Sequence, residues 1–146
     1  MKKLLIILLF STLSLQAQQK KHEKIKALKT AYITEKLDLT SSEAEKFWPV
    51  YNRFSEKLHT LKVREHKEIY RKLRDGIETL SDAEANKLID ENQSIETSEM
   101  ELRQQMTDQL RKVISPKKII LLKKAEHDFK RKLLQKYRHG KEKRKS

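Results

Sequence analysis

The chain has 146 residues, with 34 Lys/Arg against 21 Asp/Glu and a formal net charge of +13. It has no Cys, two Gly, two Pro and only 6% aromatic residues. This excludes a disulfide scaffold and a Gly-rich phosphate loop, and it describes one all-α domain rich in helix formers with a thin core.

Chain order begins with a leader. Lys2 and Lys3 form a positive start, residues 4–15 are a short apolar run, and Ala17 offers a small residue for cleavage. The pattern reads as a secretory signal peptide over residues 1–17, cut near Ala17, so export of the mature chain is expected. The run is short for a transmembrane helix. A helical domain is expected over 18–140 and a basic, disordered tail over 141–146.

The first helix is expected over about 20–36, with Ile25, Leu28, Tyr32 and Ile33 on its apolar face. The second is announced by Leu39-Thr40-Ser41-Ser42-Glu43, which has the form of a capping box. The Thr40 hydroxyl can accept from the backbone N–H three residues on, and Glu43 can reach back to the N–H of Thr40. This helix is expected to run unbroken over 41–74, with Gly76 as its C-terminal cap and a bend at Pro49. Ala44, Phe47, Tyr51, Phe54, Leu58 and Leu61 share one face, and the stripe then thins to Ile69 and Leu73, interrupted by Lys62 and Glu65. A second line, Trp48, His59, Val63, His66 and Tyr70, flanks the core stripe, with Arg64, Lys67 and Arg71 close by.

The device recurs at Leu80-Ser81-Asp82-Ala83-Glu84 and opens a third helix over 82–113. Its seam is Leu88, Ile95 and Leu102, then Met106, Leu110 and Val113. A third start, Ser115-Pro116, has a hydroxyl cap and a Pro at the first helical position, with Ile114 and Ile119 placed as a staple. The fourth helix is expected over 116–138, with Ile119, Leu122, Phe129, Leu133 and Tyr137 on one face. The loop between the second and third helices is short, so the two should fold back as a long antiparallel hairpin. Each is about 33 residues, or roughly 50 Å. A pair that long with so thin a seam should be elongated and should leave semi-apolar surface exposed.

Charge is uneven along the chain. Residues 76–113 carry 4 Lys/Arg and 9 Asp/Glu, whereas residues 114–146 carry 13 and 3. An acidic helix between basic ones favours attraction across helices. The basic end suits an anionic membrane surface. A nucleic-acid partner is not expected, because export and the scarcity of stacking aromatics argue against it.

The repeated motif and the all-helical pattern resemble the Spy/CpxP-like periplasmic proteins, whose mark is a twice-occurring Leu-Thr-x-x-Gln. Here both copies carry Glu for Gln, and the second carries Ser for Thr. Phe47-Trp48-Pro49-Val50-Tyr51 and the segment from Ser115-Pro116-Lys117 to Phe129-Lys130-Arg131 are similar to a branch often labelled sensor of an extracytoplasmic-function-type sigma factor. The resemblance implies long helices paired as a curved, antiparallel homodimer. It also implies a role in envelope stress. Some members hold unfolded clients without ATP, others modulate a membrane sensor kinase, and some bind metal.

Catalysis is not expected, since the carboxylates are spread along the third helix as a solvated face would be. No cofactor is expected. A metal is not expected either. His59 and His66 share a helix but stand about 10 Å apart along its axis, and His22, His127 and His139 add no pair at helical spacing. The candidate partner surface is therefore Trp48, His59, Val63, Arg64, His66, Lys67, Tyr70 and Arg71, suited to loose contact with unfolded chains. The alternatives are a non-chaperone modulator that binds one membrane partner and a metal-responsive sensor.

Overall fold

The structure is a computed structural model that describes the backbone of residues 23–142 and the side chains of residues 23–138. The expected leader lies outside the described residues, as does the tail from Lys143 onward. Among the described residues the fold is all-α, with four long helical segments and no strand. None of these helices is long and apolar enough to cross a membrane.

Helix α1 covers residues 23–37 and ends at Asp38, whose φ of 46° lies in the left-handed region. There the Leu39 N–H donates to the Thr34 carbonyl at 3.3 Å and the Asp38 N–H to the Glu35 carbonyl at 3.2 Å. Both bonds satisfy carbonyls that a helix end would otherwise leave open. Ile33 and Leu37 are buried, whereas Leu28, expected on the apolar face, is exposed.

Helix α2 spans Ser41–Glu65 and continues through Pro49. It is not the single α-helix expected over 41–74. A π-helical turn occupies His66–Tyr70, α3 follows over Arg71–Gly76, and a 3-10 turn spans Ile77–Thr79. The cause is written in the spacing. Leu61, Glu65, Ile69, Leu73 and Ile77 recur every four residues. In a regular α-helix a four-residue step overshoots a full turn by about 40°, so this row would drift off its face. In the π turn the Arg71 N–H reaches back five residues to the His66 carbonyl. Each such loop holds one more residue than an α turn, so the chain winds more slowly and Ile69 returns to the buried side.

The segment ends at Gly76, with φ 155° and ψ 69°. A Cβ there would stand 2.9 Å from Thr79 Oγ1, so glycine is required. Leu73, expected in the core stripe, is instead partly exposed, because past the π turn little of the chain covers it.

Helix α4 spans Asp82–Leu110, and its buried residues are Leu88, Ile95, Met106 and Leu110. Helix α5 spans Pro116–Glu142, beyond the end expected at 138. The described residues fall into two compact units: α2 through the first residues of α5 (Thr40–Ile119), and α1 with α5 from Ile120 onward.

In the first unit, Ile69, Leu88 and Ile95 form a buried cluster with Leu61 and Leu80 packed against it. Phe47 and Tyr51 stack at 5.3 Å, and Trp48 meets both edge-on. In the second unit, Tyr32 packs on Phe129 at 5.8 Å, Lys132 lies over the Tyr32 ring, and Lys29 pairs with Glu126.

Candidate functional site

Three helix starts position everything else. Thr40 Oγ1 accepts the Glu43 N–H at 3.2 Å while Glu43 accepts the Thr40 N–H at 3.0 Å. Ser81 and Glu84 repeat the arrangement at 3.3 and 2.9 Å. Both boxes are complete. The backbone N–H and the hydroxyl of Ser81 hold the Glu84 carboxyl below its ordinary value. Ser115 accepts the Lys118 N–H at 3.3 Å ahead of Pro116, and Ile114 and Ile119 are both buried. Leu80 packs against the Ile69 cluster, and Leu39 is partly buried. These residues fix the helix ends.

The flanking line on α2 is divided by the structure. Trp48 is drawn into the aromatic packing with Phe47 and Tyr51. Arg64 turns to Glu68 at 3.0 Å and also binds Glu91 of α4. The rest come together. His59, Val63, His66, Lys67 and Arg71, joined by Lys62 and Arg74, line a shallow, open groove of about 660 Å³. Tyr70 stands beside it, with its ring 6.4 Å from that of His66. Val63 is 52% and Tyr70 54% exposed.

Lys62 and Arg74 are not in the flanking line expected from the sequence, although a signal for them is present. His59, Val63, Lys67 and Arg71 are spaced by four, as are Lys62, His66, Tyr70 and Arg74. The π turn that realigns the core row also holds these two rows side by side on the outer face. No carboxylate lines the groove, so four cations crowd around its apolar patch.

Behind the groove lies a polar joint between α2 and α4. Glu65, only 8% exposed, receives Lys62 Nζ at 2.8 Å. Lys62 also reaches Glu99 at 2.9 Å, and Arg103 meets Glu99 at 2.7 Å. Burial pushes the Glu99 carboxyl up, but hydrogen bonds from Arg103 and Lys62 together outweigh it and hold the group below its ordinary value. Glu65 and Glu99 raise the Lys62 ammonium in turn. Lys62 and Glu65, expected to interrupt the core stripe, form its polar link to α4.

A second groove, of about 450 Å³, is apolar. Ile69, Leu73, Ile77, Leu80, Leu88 and Ile89 form most of its lining. Among the described residues, no three His, Asp or Glu side chains converge as a metal site would require. No protein-family model matches the chain, and neither the curated proteins nor the solved structures yield a match.

Proposed function

We propose that this protein is an exported, periplasmic envelope-stress protein of the Spy/CpxP-like kind. It holds unfolded proteins without ATP, or reports their presence to a membrane-bound stress sensor. One observation carries the reading: the open groove along α2, the π turn and α3, where Val63 and Tyr70 stay exposed among Lys62, Lys67, Arg71 and Arg74. An unfolded chain offers apolar side chains and scattered carboxylates in no fixed order. A shallow surface that mixes apolar contact with positive charge suits such a partner better than a closed pocket does.

In this reading α2 and α4 are the arms of an antiparallel hairpin. The contacts of Arg53 with Gln109, Lys62 with Glu99 and Arg64 with Glu91 support it, since position rises along one helix as it falls along the other. Two copies pair as a homodimer and leave the groove open. The paired capping motifs support the family resemblance.

The test is light scattering of two unrelated denatured proteins. Wild type should suppress aggregation of both. Val63→Ser with Tyr70→Ser should suppress it less, at matched helicity and matched oligomeric state. Protection of neither client by wild type would remove the holdase reading and leave the single-partner modulator. Equal protection by variant and wild type would move the client surface elsewhere.

A further inference from the structure

Helix α5 has two unlike sides. One is packed: Leu122 and Ala125 are buried, Phe129 meets Tyr32, and Glu126 pairs with Lys29. The other presents Ile120, 65% exposed, and Leu134, 55% exposed. These two lie about 21 Å apart along the axis and within about 40° of each other around it. Between and around them the helix is strongly basic, with seven Lys/Arg against two carboxylates over residues 120–138.

Both carboxylates are already engaged. Glu126 is turned to α1, and Asp128 is held by Lys124 and Arg131, so its charge is spent within the helix. Among the described residues no carboxylate pairs with Lys123 or Lys130.

We propose that this outer face of α5 is a docking surface for an anionic phospholipid bilayer. Helix α5 would lie in the plane of the interface, with Ile120 and Leu134 entering the acyl boundary and Lys123, Lys124, Lys130 and Arg131 at headgroup level. A solvated basic face needs no large apolar side chains, and a face that binds only a polyanion has no use for two of them. A basic helix carrying separated apolar anchors matches a charged surface with an apolar layer beneath it. The same residues fit a neutral bilayer poorly, because the cations would gain nothing there. The proposal goes beyond client holding and uses none of the α2 groove.

The experiment is vesicle sedimentation of the whole chain, with phosphatidylcholine alone and with phosphatidylcholine mixed with phosphatidylglycerol. Any contribution of the first 22 residues is common to all variants, so the quantity read is the extra binding to the anionic mixture. Wild type should bind the mixture more tightly, and added salt should reduce the difference. Ile120→Gln with Leu134→Gln should lower the extra binding about tenfold or more, which is at least 1.4 kcal/mol. Lys123→Glu with Lys130→Glu should abolish it. Leu134→Trp, at helicity matched by circular dichroism, should strengthen it.

Equal binding to both vesicle types would overturn the proposal. So would unchanged extra binding by the Gln variant, which would make the face a plain charge patch. A Gln variant that changes oligomeric state but not vesicle binding would give the face to a second copy, and would overturn it as well.

Discussion

Lys118 Nζ lies 2.6 Å from Glu43 Oε2, the same oxygen that accepts the Thr40 backbone N–H at 3.0 Å. One carboxylate thus closes the capping box of α2 and ties that helix start to the first turn of α5. The Lys118 ammonium first, and the Thr40 N–H second, hold the Glu43 carboxyl below its ordinary value. The charge has a further use. A cation in the first turn of α5 sits at the wrong end of that helix's dipole, and Glu43 offsets it.

Glutamine at position 43 would keep the acceptor for Thr40 but lose the attraction for Lys118. Glu43→Gln should therefore melt slightly below wild type at low salt and match it at high salt. Glu43→Ala loses both bonds and should melt lower at every salt concentration. Thermal melts by circular dichroism at two ionic strengths decide the point. If the two variants melt alike, the cap bond contributes nothing.

Thr40→Ala and Ser81→Ala should each cost about 1 kcal/mol, the usual effect of losing a hydroxyl cap. The caps begin different helices, α2 and α4, and each closes on its own Glu. The double variant should then lose the sum, within about 0.5 kcal/mol. Urea denaturation of the four proteins measures this. A double variant no worse than either single one would mean that the two caps act as one unit.

The π turn makes an unusual deletion tolerable. Removing Lys67 would convert the four-spaced row of Leu61, Glu65, Ile69, Leu73 and Ile77 into one that a regular α-helix keeps on one face. We expect the deletion to preserve helicity and the burial of Ile69, whereas a deletion in mid-helix elsewhere, such as Ser98, should be severely destabilising. The outer rows would lose their alignment, so protection of unfolded clients should fall while stability holds. Circular dichroism, hydrogen exchange and light scattering on the two deletions test this. A Lys67 deletion as damaging as that of Ser98 would refute the spacing argument.

The helix starts were the most legible part of the chain. A hydroxyl followed three residues later by Glu makes the cap's bonds within four residues, and the Lys118 contact to Glu43 leaves them intact. The seam of α4 at Leu88 and Ile95 was readable for the same reason, since a strict period of seven leaves one choice of face. The π turn is not legible on a fixed 100° wheel, whereas the repeat of four is itself the sign that the pitch changes. Trp48 and Arg64 lie on the expected flank and also meet neighbours that helical direction does not reveal. Direction says where a side chain points, not whether Phe47, Tyr51 or Glu91 waits there. Leu28 shows the converse, an apolar residue on the expected face that stays 46% exposed.

Glu65 gives the sharpest case of a polar residue in an apolar row, and a test of what it contributes. Glu99 has a folded value below its ordinary 4.5. Its stabilising effect is complete above pH 4.5 and is lost as pH falls through the lower folded value. Lys62 is raised above its ordinary 10.5, so its effect is complete below that pH and is lost only in stronger alkali. Stability should therefore be level from neutral to mild alkali as far as this joint is concerned, and should decline in acid. Lys62→Met should cost about 1–2 kcal/mol at pH 7, because it leaves the buried Glu65 carboxylate without its cation. The low end of that range is expected, since half of the Lys62 side chain remains in water. Adding Glu65→Leu should recover that loss or exceed it, for leucine completes the row of Leu61, Ile69 and Leu73, and a buried ion pair often stabilises no more than apolar packing does. Urea denaturation of wild type, both single variants and the double variant forms the cycle. A double variant less stable than Lys62→Met alone would show that the carboxylate has a structural partner besides Lys62.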